Sequence, residues 1–198
     1  MLTAILVATA VLFAGLALAG YNQLIRSRNR VREAWSGVDV QLRRRASLIP
    51  NLVDTVQAYA QHERSTFDEV TRARSALQNA GGAGAAGDAN NVLSQALGRL
   101  FAVAENYPQL RASEGFVRLQ QELSDIEEKI AYARQFYNRN VLDYNNRIDV
   151  FPSVLVARTF DFRASEFFDA GDEGRAEVRV NFSPARAMTQ PPAVPPPG

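Results

Sequence analysis

Cysteine is absent from the 198 residues. No disulfide and no thiolate metal site can form, and the redox compartment leaves no trace. Histidine occurs once, as His62. One imidazole cannot supply the three or four ligands that a zinc site draws from nitrogen and sulfur donors. A di-iron bundle needs Glu-x-x-His pairs, and here His62 directly precedes Glu63. Lys129 is the only lysine, and the other basic residues are all arginine. The net charge of +1 argues against a nucleic-acid binder driven by bulk charge. There is no Walker motif. The glycine-rich stretch at 81–87 lacks the lysine and the flanking strand of a phosphate loop. Ser36 and Ser47 have no base at a recognisable spacing. No catalytic residue, cofactor or metal site is therefore expected.

What the sequence does have is an apolar start. Leu2 to Gly20 carries no charge. At 1.5 Å per residue this run makes a helix of roughly 28 Å, about the hydrocarbon thickness of a bilayer. Its Leu, Ile, Val and Phe side chains favour insertion by roughly 3–5 kcal/mol. Arg26, Arg28, Arg30 and Arg32 follow, and no basic side chain precedes. The positive-inside rule then puts the N-terminus outside and the domain in the cytoplasm of a bacterial inner membrane, with a periplasmic domain as the alternative. Ala17-Leu18-Ala19 resembles a signal-peptidase site, but the n-region has no basic residue and the apolar run exceeds a usual h-region, so a retained anchor is the preferred reading.

Beyond the anchor (2–21) the pattern is all-α, a long antiparallel helical bundle over 22–152. Val31, Ala34-Trp35, Val38 and Leu42 keep helical spacing. Pro50 predicts a break or kink near Ser47–Pro50, with Ser47 capping a new helix. From there Ile49, Leu52-Val53, Val56, Tyr59-Ala60, Phe67, Val70 and Leu77 recur at three and four. NAGGAGAAG (Asn79–Gly87) predicts a flexible connection. Asp88 or Asn90 then caps a shorter helix with Val92-Leu93, Leu97, Leu100-Phe101 and Val103-Ala104 inward. Pro108 ends it. Ser113 opens what reads as the longest helix, with Phe116, Leu119, Leu123, Ile126, Ile130, Ala133, Tyr137, Asn140 and Tyr144 along one seam. Phe151-Pro152 stops it. An irregular C-terminal strap on the bundle is expected over 153–182, with a strand-like EVRVNF at Glu177–Phe182. A disordered or polyproline tail follows at 183–198.

Two groups of polar residues stand out. Arg43, Arg44 and Arg45 form a basic cluster roughly 30 Å above the membrane on an upright helix, beyond reach of lipid charge, and read as a solvated face or a partner contact. Arg45, Glu63, Arg74, Glu105, Arg134, Asn138 and Asn145 fall at inward or near-inward positions and read as a buried polar network. Arg74 and Glu63 share a helix face, as do Tyr137-Asn138 and Tyr144-Asn145 at a spacing of seven. Polar layers that fix register are the plainer reading, and a polar groove for a ligand or peptide is the other.

From Tyr21 to Phe182 the chain resembles the LemA family. The resemblance rests on Tyr21-Asn22, Ala34-Trp35 and VDVQLRRRASLIPNLV (Val38–Val53). It continues through Tyr59-Ala60-x-His62-Glu63, Ala73-Arg74-Ser75, Glu105-x-Tyr107-Pro108 and Leu119-Gln120-x-Glu122-Leu123. It closes on Ile130-Ala131-x-Ala133-Arg134-x-x-Tyr137-Asn138 and Val141-x-x-Tyr144-Asn145. The resemblance implies a bacterial membrane protein with one N-terminal span, its N-terminus outside, and a long antiparallel helical domain. No enzymatic activity is established for that family. Some relatives are linked to magnetosome membrane formation and others to membrane metalloproteases.

The expected function is therefore that of a non-enzymatic, membrane-anchored helical scaffold. Its partners would be the lipid bilayer through residues 2–21 and either a second copy or another membrane protein, a membrane metalloprotease among them. An adaptor for a protease or envelope-stress system and a membrane-shaping assembly are the alternatives.

Overall fold

The computed structural model describes residues 1–168. The strand-like Glu177–Phe182 and the proline-rich tail lie outside the described residues, as does the strap beyond Phe168.

One helix carries the architecture. α1 runs unbroken from Leu2 to Gln57, 56 residues and about 84 Å. Its first third is the apolar run, with side chains such as Leu6, Val11, Phe13 and Leu18 fully open to the surroundings. This is the one helix among the described residues long and apolar enough to cross a membrane. From Leu24 onward the same helix buries one seam: Leu24, Ser27, Val31, Ala34, Val38, Leu42, Arg45, Ile49, Leu52 and Val56, three and four residues apart.

α2 (Arg64–Gln78) turns back along α1, α3 (Ala83–Glu105) returns antiparallel to α2, and α4 (Pro108–Arg111) makes the corner. α5 (Glu114–Asp149) then descends beside α1. Trp35 faces Tyr137 and Arg45 faces Glu127, ten residues up one helix against ten down the other. The half of the bundle far from the apolar run has four helices, α1, α2, α3 and α5. Beneath the α2–α3 turn, α6 (Ser153–Thr159) and the extended residues to Phe168 pack beside α1 and α5 instead. The core is continuous through both halves.

Several local expectations fail. No break occurs at Pro50, which sits inside α1. Ser47 caps nothing and instead hydroxyl-bonds the Arg44 carbonyl at 2.8 Å within the helix. The flexible connection is short, because α3 starts at Ala83 and the alanines of Ala83–Gly87 are good helix formers with a face to bury. Gly82, at φ 90°, is the residue that needs to be glycine there. Asn90 is not a cap but lies inside α3, buried, and Val92 points outward. The longest helix is α1 and not α5, which has 36 residues. On α5 the seam passes through Val141 in place of Asn140, which bonds the Phe136 carbonyl on its own helix.

Candidate functional site

Arg45 is the one charged residue in the core among the described residues, 5% exposed. Helical periodicity puts it on the buried seam of α1, where α3 and α5 meet. Its Nη1 donates to Asn90 Oδ1 at 2.5 Å. Its Nη2 donates to Ser94 Oγ at 2.9 Å and lies 3.0 Å from Glu127 Oε2. Three helices are thus tied through one guanidinium. Burial lowers the Arg45 pKa and Glu127 opposes that shift. The basic triplet expected as a partner contact is accordingly split. Arg45 is withdrawn into the core, while Arg43 and Arg44 remain exposed, Arg43 paired with Asp39 at 2.8 Å.

Arg74 explains the unbroken helix. Proline has no N–H, so Pro50 leaves the carbonyl four residues earlier, that of Ala46, without its helical partner. Arg74 Nε on α2 donates to that Ala46 oxygen at 2.8 Å. A donor from the neighbouring helix replaces the missing amide, and the chain runs on.

Asn138 and Asn145 belong to a third device. Asn138 accepts from the Phe168 N–H at 2.9 Å and donates to the Phe168 carbonyl at 3.0 Å. Asn145 does the same with Ser165, at 2.9 and 3.0 Å. The hydroxyl beside each amide joins in: Tyr137 donates to the Glu166 carbonyl at 2.8 Å and Tyr144 to the Arg163 carbonyl at 2.9 Å. Two Tyr-Asn pairs seven residues apart on α5 are separated by about 10.5 Å of helix. Three residues of extended chain cover about 10 Å. The two rises match, so one Tyr-Asn pair reads Arg163 to Ser165 and the next reads Glu166 to Phe168. Every bond goes to main-chain atoms. Specificity comes from Phe168, buried to 1% exposure against Trp35. Burial first, and the Glu166 carboxylate second, push the Tyr137 pKa up to about 12. Burial also raises that of Tyr144, against Arg28 and Arg32.

The expected network of seven residues is thus three separate devices built on Arg45, Arg74 and the asparagine pair. Glu63 is half-buried at the N-cap of α2 and Glu105 is exposed at the end of α3. Arg134 is half-buried on α5. None of these three makes an ion pair within 4 Å among the described residues. Sequence reasoning missed Asn90, Ser94 and Glu127, whose convergence on Arg45 depends on the crossing of three helices and leaves no local pattern. It also missed that Arg28 stacks over Phe162, 5.2 Å from the ring centroid.

An open groove of about 700 Å³ also runs between α1 and α5. Ala34, Gly37 and Ala133 line it together with the exposed rings of Tyr132 and Phe136. Among the described residues no group of three or more acidic or histidine side chains is placed to hold a metal ion.

A sequence model of the LemA family matches residues 34–182. The chain belongs to the LemA family. The matched stretch holds Arg45, Arg74, Asn138 and Asn145, so all three devices lie inside the LemA-family region, and the apolar run Leu2–Gly20 lies before it. The chain is similar to Protein LemA of Metamycoplasma hominis, 26% identical over 79% of this chain and 72% of that one. It is also similar to Magnetosome protein MamQ of Magnetospirillum gryphiswaldense, 27% identical over 87% of this chain and 74% of the relative. Magnetosome protein MamQ 2 of Paramagnetospirillum magneticum is 28% identical over 86% and 74%. LemA-family membership and the uncovered apolar helix agree on a membrane-associated helical protein.

Proposed function

We propose that the protein is a non-enzymatic scaffold, anchored by Leu2–Gly20 in a bacterial inner membrane with its bundle in the cytoplasm, and that it acts through protein contacts or self-assembly. The observation that carries this reading is the continuity of α1. Anchor and rod are one helix, so any partner on the bundle is held at a fixed height above the bilayer. The exposed Arg43-Arg44 pair supports the same reading. So does the absence of a nucleophile–base pair at any recognisable spacing in the sequence. The magnetosome relatives, named for an organelle, favour the self-assembling form of the scaffold.

The test is in-cell crosslinking from a photoreactive residue at Arg44 and, separately, at Tyr132, read by mass spectrometry. A crosslink to a second copy supports self-assembly. A crosslink to another envelope protein, a metalloprotease among them, makes the protein an adaptor instead. Recovery of uncrosslinked monomer from both positions contradicts the scaffold.

A further inference from the structure

The unbroken α1 lets residue number serve as height above the membrane, and one end of the bundle sits low. The apolar run ends at Gly20. A Cβ placed there would lie 3.4 Å from Val156 Cγ2, so α6 packs against the last residue of the run. Tyr21, the next residue, has its ring 4.9 Å from Phe160 and 5.7 Å from Phe162. The antiparallel register brings the end of α5 to the same level. The corner between α5 and α6 therefore stands beside the point where α1 leaves the apolar run.

That corner is apolar and, among the described residues, uncovered. Phe151 is 78% exposed, Leu155 59% and Val150 53%. Side chains of this kind grouped on a surface mark a contact with an apolar medium or partner. The surrounding charge says which. Arg26 and Arg30 of α1 and Arg147 of α5 line one concavity, together with Asn22 and Gln23. None of the three arginines makes an ion pair within 4 Å among the described residues. Arg158 follows in the last turn of α6. Asp149, the last residue of α5, is the acid nearest the corner in sequence. Apolar tips ringed by arginines at the depth of the headgroups are the composition of an interfacial membrane contact.

We propose that the α5–α6 corner is a second membrane contact. Val150, Phe151 and Leu155 enter the boundary between headgroups and acyl chains of the leaflet from which α1 emerges. Arg26, Arg30 and Arg147 hold the phosphates of anionic lipids beside them. The bundle is then fixed to the surface at two points, which stops it from swivelling about the anchor. The proposal rests on reading Leu2–Gly20 as a span, and the test separates the two.

The absence of cysteine makes the test clean. Full-length protein carrying Leu12→Cys, Phe151→Cys, Leu155→Cys or Tyr132→Cys is spin-labelled and placed in vesicles of phosphatidylcholine with and without phosphatidylglycerol. All four side chains are exposed, so a label displaces no packing. Collision with oxygen reports lipid, and collision with a water-soluble nickel chelate reports solvent. The label at Leu12 checks the span, and that at Tyr132, roughly 25 Å up α5, checks solvent. Labels at Phe151 and Leu155 are expected to behave as lipid-exposed. Phosphatidylglycerol should draw them deeper, and R26Q/R30Q/R147Q should remove that dependence. Inorganic phosphate in the buffer should not reproduce it. Solvent-like labels at both corner positions, with a lipid-exposed Leu12 label, overturn the proposal and leave the anchor intact. A solvent-like Leu12 label overturns the span. Depth at the corner that ignores phosphatidylglycerol overturns the arginine site.

Discussion

A guanidinium on the seam of a helix is costly unless every neighbour answers it. Arg45 has three such neighbours on two helices, and Glu127 among them keeps a half-exposed carboxylate. Arg45→Ala leaves Asn90, at 5% exposure, without its donor. We expect a loss of about 2–4 kcal/mol in urea unfolding of the detergent-solubilised protein. Arg45→Met, which refills the space without a charge, should lose far less. Arg74 makes a sharper case, because its role depends on Pro50. Arg74→Met in the natural background should cost roughly 1–3 kcal/mol, the penalty of an unsatisfied buried carbonyl. In a Pro50→Ala background the amide of residue 50 returns to the Ala46 oxygen and the same change should cost little. A double-mutant cycle measures the coupling, which we expect at about 1 kcal/mol or more. Additive effects would mean that Arg74 does not stand in for the missing amide.

At the scale of elements, the sequence showed its helices through periodicity and hid what joins them. The spacing of Ile49, Leu52 and Val56 marks a buried face on both sides of Pro50. A single sequence cannot say that an arginine 24 residues further on supplies the missing bond. The Tyr-Asn pairs were legible as a repeat of seven on one face of α5. Their target was not, because the strap has no periodicity of its own. It is held by bonds to its main chain, which leave no side-chain signature. This gives two predictions for the strap. Asn138→Ala should speed amide exchange at Phe168, and Asn145→Ala at Ser165, each by about tenfold for a loss near 1.4 kcal/mol. Each change should stay local to the amide that its asparagine bonds. The second prediction concerns alkali. Folding holds Tyr137 neutral up to about pH 12, against an ordinary value of 10.0. Its contribution is complete below pH 10 and is lost as pH rises through about 12. Strap amides should open in that window, together with tyrosinate absorbance. In Tyr137→Phe the component due to residue 137 should vanish.

At the scale of the whole molecule, α1 is both the apolar run and half of the rod. The sequence made the apolar helix plain, since the uncharged run Leu2–Gly20 precedes the first arginine. It pointed the other way on the rod, because a proline in the middle of a helix ordinarily ends it. The consequence for function is mechanical. A bent α1 would let the far end of the bundle swing, whereas a straight one holds Gln57 at one height. The decisive measurement is the distance between spin labels at Asn22→Cys and Gln57→Cys in full-length protein reconstituted in a bilayer. A continuous helix predicts a narrow distribution near about 52 Å. A broad distribution centred below about 45 Å would show that α1 breaks at Pro50, and with it the rigid link between membrane and bundle would be gone.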